Sequence, residues 1–254
     1  CYAIGGRKGE KIIKEFVKMK FAIIAAGEGS RLQQEGIHLP KPLVKLRGES
    51  LIDRLIRIFN SNGADEIDII VNQIYPETAQ HIQALMETEK GKNIRLIVKN
   101  TPSSMHSFYE LSELIGDEPF CLTTVDTIFD EQEFSDYIQA FKENATYDGM
   151  MAVTDFIDDE KPLYVATDED LNITGFHDQN EGDIYISGGI YCLNPVALNT
   201  LRGCIARGES RMRNFQRALI TDGLHLKACL FSKILDVDHV SDIQKAVEFL
   251  ESHQ

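Results

Sequence analysis

From Lys20 onward, apolar runs of strand length alternate with amphipathic stretches of ten or more residues, and that alternation restricts the fold more than any other feature of the chain. FAIIAA, EIDIIVN, IRLIVKN and PFCLTTVD are short runs rich in β-branched and aromatic residues. Their apolar character is too continuous for a strand with one face in water. Between the first two lies SLIDRLIRIFNSNG, with Leu51, Ile52, Leu55, Ile56 and Phe59 at spacings of three and four, ending at Gly63. That pattern is a helix with one apolar stripe and a glycine terminator. PETAQHIQALMETEKGK and SFYELSELIG read as the next two helices. Strands buried on both faces and joined by helices require a parallel sheet covered above and below.

After about residue 145 the texture changes. GMMAVTDF, LYVATDEDLNITGFHD and IYISGGIYCLNP are β-rich, and DEDLN has the composition of a hairpin turn. A closing helix, SDIQKAVEFLESH, places Ser241 as its expected N-cap and Asp242 in its first turn. No linker and no internal repeat divides the chain. The expected class is α/β, a Rossmann-like three-layer sandwich with a mostly parallel central sheet and a β-rich second half. One domain spans 19–254. It follows an extension over 1–18, a polar lead and a short amphipathic helix without the apolar centre of a secretory signal.

The 254 residues include 40 acidic and 26 basic side chains, a formal charge of -14. Such a surface repels phosphate backbones and anionic bilayers, so neither nucleic acid nor membrane is expected as a partner. The apolar runs are also shorter than the roughly 20 residues a membrane helix needs. Five dispersed cysteines, none in a CxxC, and seven scattered histidines argue against a zinc site or disulfide framework. They fit a reducing cytoplasm. Against this acidic background, converging basic residues are informative.

They converge in one place. In KFAIIAAGEGSRL the first strand runs into a turn containing Gly27 and Gly29, followed by Ser30 and Arg31. Ligands of open parallel sheets bind beyond the carboxyl ends of strands. Glycines there let backbone N–H groups face an anion, and a guanidinium matches phosphate oxygens in pairs. Ten residues later Lys41 stands between Pro40 and Pro42, a point charge on a stiffened backbone. Neither common nucleotide motif fits. The dinucleotide fingerprint lacks its third glycine, and the next strand begins more than 35 residues on and ends at Asn72, not at an acid. The order Gly-Lys-Ser/Thr of a Walker A loop is absent.

AAGEGSRL followed by PKPLVKLRGESLI resembles the nucleotidyltransferases that join a nucleoside triphosphate to a phosphorylated sugar or alcohol. The resemblance begins near Met19 and extends, more weakly, to the C-terminus. It implies that Ala25, Ala26, Gly27, Gly29, Ser30, Arg31 and Lys41 bind the triphosphate, with Arg31 and Lys41 catalytic. Moving a charged α-phosphorus calls for Mg²⁺ or a similar hard ion on carboxylates. Asp126 closes a β-type run, where the family also carries an aspartate, although Val125 replaces the usual preceding glycine. The closing segment KILDVDHVSDIQKAVEFL supplies Asp236 and Asp238, which point to the same face of a strand. The family pattern favours Asp236 slightly.

On the acceptor side the resemblance is thinner. NTPSSMHSFYEL occupies the region that contacts the base, bringing Asn100 and Ser104 to the nucleotide and Ser107 toward the acceptor. Similar Asn and Ser runs occur in cytidylyltransferases acting on phosphocholine-type alcohols. SGGIYCLNP resembles the segment around the sugar, where Gly188 and Gly189 admit a ligand. Sugar-specific members carry Glu-Lys-Pro before it, whereas this chain has FHDQNEG, which speaks against a standard hexose-1-phosphate. Lys227, Lys233, Arg211 and Arg213 are alternative sources of the missing charge. The implied reaction transfers a nucleoside monophosphate to a phosphorylated sugar, giving a nucleoside-diphosphate sugar and pyrophosphate. An alcohol phosphate such as phosphocholine or a polyol phosphate is the alternative acceptor, and a non-catalytic nucleotide-binding module the alternative role. Base, acceptor and oligomeric state stay open at this level.

Overall fold

The structure, a computed structural model, describes residues 18–144, 146–158 and 161–252. The extension expected over 1–18 therefore lies outside the described residues except for Lys18. β1 (Lys20–Ala25) leads through a short α1 (Ser30–Gln34) and a 3₁₀ turn (Lys41–Leu43) to the hairpin β2 (Lys45–Leu46) and β3 (Glu49–Ser50). Then come α2 (Leu51–Ser61), β4 (Glu66–Val71), α3 (Pro76–Met86), β5 (Ile94–Val98) and α4 (Ser104–Ile115). β6 (Phe120–Thr124), β7 (Thr127–Phe129) and α5 (Glu131–Glu143) complete the first half. The second half adds β8 (Gly149–Thr154), β9 (Tyr164–Thr167), β10 (Ile173–His177) and β11 (Tyr185–Leu193). It ends with α6 (Ala197–Ala206), α7 (Met212–Thr221), β12 (Leu226–Leu230), β13 (Ile234–Asp236) and α8 (Val240–Ser252).

Nine of these strands form one mixed sheet. Its parallel centre runs β6-β1-β4-β5, and β11 joins β6 antiparallel, with β9 and β10 beyond it on one path and β8 and β12 on the other. β1 shows why the sheet is closed on both faces. Phe21, Ile23 and Ala25 enter one core with α2, α3, α5 and α8, while Ala22 and Ile24 enter a second with α4, α6 and α7. A strand with period two and no polar face after Lys20 can satisfy itself only between two helical layers. Phe21, Phe59 and Phe134 cluster in the first core, Phe59 and Phe134 stacked and Phe21 tilted against Phe59 with ring centroids 4.7 Å apart. Burying each such ring is worth about 1.5–3 kcal/mol.

Local signals place most boundaries. Ser50 caps α2 by accepting the Asp53 N–H, and the chain leaves the helix at Asn62 and Gly63, whose φ of 73° suits glycine. The expected hairpin is β9–β10, closed by the Asp168 carboxylate accepting from Asp170 and Asn172. One helix start moves and one capping expectation is corrected. α4 starts at Ser104, with Ser103 accepting the His106 N–H, so Ser107 lies inside the helix. α8 starts at Val240, and the Asp242 carboxylate reaches back to the Asp238 and His239 N–H groups in place of Ser241.

The chain visits β4 and β5 on one side of β1 before crossing to β6 on the other. This reversal of direction leaves a crevice at the carboxyl ends of β1 and β6. A small ribbon pairs β13 with β7, Asp236 opposite Thr127, and carries the last strand to that same edge.

Candidate active site

A cleft of about 640 Å³ opens there. Its floor is the turn after β1. Ala25 is buried beneath it, 2% exposed, and supports the turn without lining the cleft. Ala26, Gly27, Gly29, Ser30 and Arg31 all line it. Gly29 has φ 63°, and a Cβ there would meet the Lys41 Cβ at 3.0 Å. Glycine is needed both for the left-handed turn and for the close passage of the Pro-Lys-Pro segment.

Asn72, at the end of β4, braces this turn. Its side-chain amide donates to the Ala26 and Gly27 carbonyls at 3.3 and 3.1 Å, while its oxygen accepts the Ile74 and Tyr75 N–H groups. At 5% exposure, one buried amide fixes two loops at once. By its sequence position Asn72 serves only to exclude a dinucleotide site. The signal for its bracing role is a polar amide closing an otherwise apolar strand at the ligand edge.

Lys41 enters the cleft from the 3₁₀ turn, its backbone carbonyl accepting the Val44 N–H. Its ammonium donates to Asp126 Oδ2 and, at 2.7 Å, to Asp238 Oδ1. Arg31 Nη1 donates to Asp238 Oδ2 at 2.9 Å. Asp126 sits in the turn between β6 and β7, and its carbonyl accepts the Val237 N–H, which ties the C-terminal ribbon to it. Burial alone pulls the Lys41 pKa down, but Asp126 and Asp238 hold it above the usual lysine range. Burial likewise pushes the Asp126 carboxyl up, yet the Lys41 charge and hydrogen bond and the Thr124 hydroxyl outweigh it and hold the group low. Both therefore stay ionised across neutral pH.

The structure thus brings Arg31, Lys41, Asp126 and Asp238 together. Asp238 rather than Asp236 meets Lys41. β13 ends at Asp236, so the two-residue alternation does not extend to Asp238. Asp236 and Gly188 instead line an adjoining cavity of about 480 Å³ that shares Arg31 and Asp238 with the cleft. Asn100, Ser104 and Ser107 line the cleft. The Asn100 side-chain Oδ1 accepts the Gln73 N–H at 2.8 Å, and the Ser107 hydroxyl pairs with that of Thr101 at 2.6 Å.

Gly188 packs under β13, where an added Cβ would collide with Ile234. Gly189 takes φ 72° at a register shift between β11 and β8 and lines neither cavity. Lys227, Lys233, Arg211 and Arg213 also line neither, and Arg213 is paired with Asp178. The lysines of the second cavity are Lys161 and Lys245. Among the described residues no cluster of three or more His, Cys, Asp or Glu forms a metal site. Asp126 and Asp238 offer two hard carboxylates facing one cation position, the number a magnesium–phosphate complex commonly takes from protein.

Residues 20–253 match the nucleotidyl transferase family. A mannose-1-phosphate guanyltransferase of Schizosaccharomyces pombe is 29% identical over 191 residues, covering 72% of this chain and 52% of that protein. The chain therefore spans about half the length of that relative. A probable glucose-1-phosphate cytidylyltransferase of Bacillus subtilis is 22% identical over 204 residues, covering 72% of this chain and 78% of that protein. The solved inositol-1-phosphate CTP transferase of T. maritima superposes with a TM-score of 0.76 at 19% identity, over 93% of this chain and 96% of that one.

Proposed function

The chain belongs to the nucleotidyl transferase family, and from that premise we propose that it transfers a nucleoside monophosphate from a triphosphate to a phosphorylated sugar, releasing pyrophosphate. The carrying observation is the Lys41 ammonium between Asp126 and Asp238, in a cleft floored by the glycine turn. The backbone of Ala26 to Ser30 cradles the triphosphate, and Arg31 and Lys41 neutralise it. An acceptor phosphate oxygen attacks the α-phosphorus in line. The new O–P bond forms as the bond to the bridging oxygen breaks, and pyrophosphate leaves with the electron pair. The attacking phosphate is already ionised near neutral pH, so no side chain has to act as a general base. The chain's work is positioning and charge neutralisation.

Asp126 and Asp238 are the residues suited to hold Mg²⁺. When bound there, such an ion neutralises developing charge on the phosphoryl oxygens. Asp236 faces the adjoining cavity, which we assign to the acceptor because it shares Arg31 and Asp238 with the cleft. No described helix is long and apolar enough to cross a membrane, and the described cysteines are free thiols, which supports a cytoplasmic setting.

A second acceptor class has its own support. The segment that replaces Glu-Lys-Pro has its charges taken up by neighbours, His177 pairing with Asp183 and Asp178 with Arg213 and Arg217 of α7. It leaves no lysine there for a hexose phosphate, which favours an alcohol or polyol phosphate. Pyrophosphate release measured over four triphosphates and a panel of sugar and alcohol phosphates tests both readings. Turnover with one pair identifies the reaction. Triphosphate binding without release under any pair would make the chain a nucleotide-binding module instead.

A further inference from the structure

The contacts that hold Lys41 are also the contacts a divalent ion would need. Its ammonium takes Asp126 Oδ2 and Asp238 Oδ1, and Arg31 takes Asp238 Oδ2. Both oxygens of Asp238 and one of Asp126 are thus committed to the protein's own cations. The Lys41 and Asp126 side chains are only 10% and 16% exposed, so water weakens their pairing little, whereas Asp238, at 42%, is screened more. Its backbone is pinned by Pro40 and Pro42 and by the close pass over Gly29. The four-carbon stem beyond that backbone is flexible, and an ammonium has no preferred direction of bonding. Moving the charge therefore requires rotation of one side chain and no movement of the main chain.

We propose that Lys41 is a tethered counter-cation that closes the Asp126–Asp238 pair to divalent ions until phosphate oxygens draw it away. A divalent ion arriving alone must displace an ammonium from two carboxylates. An ion arriving on a triphosphate brings the oxygens that take Lys41 and Arg31 over. The ion and the nucleotide then enter as one complex. The role of the triphosphate rests on the proposed transferase reading, whereas the competition between Lys41 and the ion does not.

The test is a nucleotide-free Mn²⁺ titration followed by the electron paramagnetic resonance signal of the free ion. Lys41→Met removes the charge and keeps the bulk of the stem, and Lys41→Gln, which retains a hydrogen-bond donor, replaces it if thermal melting shows the first unfolded. Either variant is expected to bind Mn²⁺ at least about tenfold more tightly than the unsubstituted chain, the scale of one charge at contact distance. Adding Asp126→Asn to the same variant is expected to abolish the gain. Binding no tighter than in the unsubstituted chain overturns the proposal, as does a gain that survives Asp126→Asn. No turnover is measured, so failure of the transferase reading leaves this result unchanged.

Discussion

The two ends of β1 and β4 carry charge networks of similar composition and opposite consequence. At the amino end, Lys20 donates to the Leu114 carbonyl at 2.8 Å and pairs with Glu66 at 3.1 Å. Arg95 takes the fully buried Asp68 with two hydrogen bonds of 2.8 and 3.2 Å, and also contacts Glu66. At the carboxyl end, Arg31 and Lys41 face Asp126 and Asp238. Each network sets two cations against two carboxylates. The first borders neither the cleft nor the adjoining cavity, and the second lines the cleft. Ion pairing by itself does not mark a site. What marks it is a cavity at the end where parallel strands pass into loops, because only there can a ligand offer the charges new partners.

Substitutions that separate binding from stability sharpen this contrast. The largest expected effect is at the open end, where Lys41→Ala lowers kcat/KM by about a hundredfold or more, the scale of losing one preorganised charge. Pyrophosphate release measures it, and undiminished turnover would erase the distinction between the two ends. At the closed end, Arg95→Ala strands the Asp68 carboxylate and lowers unfolding free energy by about 2–3 kcal/mol. Urea titration reads that loss, while kcat/KM of the folded fraction stays unchanged.

Smaller, and again at the open end, is Asn72→Ala, which frees the glycine turn and raises KM for the triphosphate by about tenfold, or ~1.4 kcal/mol. A variant with altered stability and an unchanged KM would make Asn72 part of the scaffold alone. The smallest effect is a slope. Burial holds the Asp68 carboxyl up at about 6 despite Arg95. Its contribution to stability is full below the ordinary value of 3.8 and is lost as pH rises through about 6. Asp68→Asn is expected to flatten the stability curve in that window by no more than about 1.4 kcal/mol per pH unit. Thermal melts across pH 4–7 decide it, and parallel curves would remove Asp68 as the titrating group.

Much of the fold was legible because its causes are local. Continuous apolar runs of strand length reported β1 and β4, a period-3.6 stripe reported α2, and Asp168 with its neighbours reported the β9–β10 turn. The glycine turn and Pro-Lys-Pro were legible for the same reason, since their chemistry depends on backbone freedom and stiffness within a few residues. Ser241 misled because its neighbour Asp242 can accept N–H groups at the same helix start, and Asp242 takes those of Asp238 and His239. Which of Asp236 and Asp238 meets Lys41 was not legible from alternation. It turns on where a three-residue strand stops, which its pairing with β7 sets.

Adjacent residues carried the α/β class, the position of the glycine turn and the chemical types beside it, because periodicity and backbone restriction are local properties of the chain. Tertiary structure alone decided that Lys41 meets Asp238 across 197 positions, that Asn72 holds the turn, and that Lys161 and Lys245 line the second cavity. Those are contacts between segments distant in the chain. They exist only once sheet order and the β7–β13 ribbon have placed the loops, and no local propensity encodes that placement.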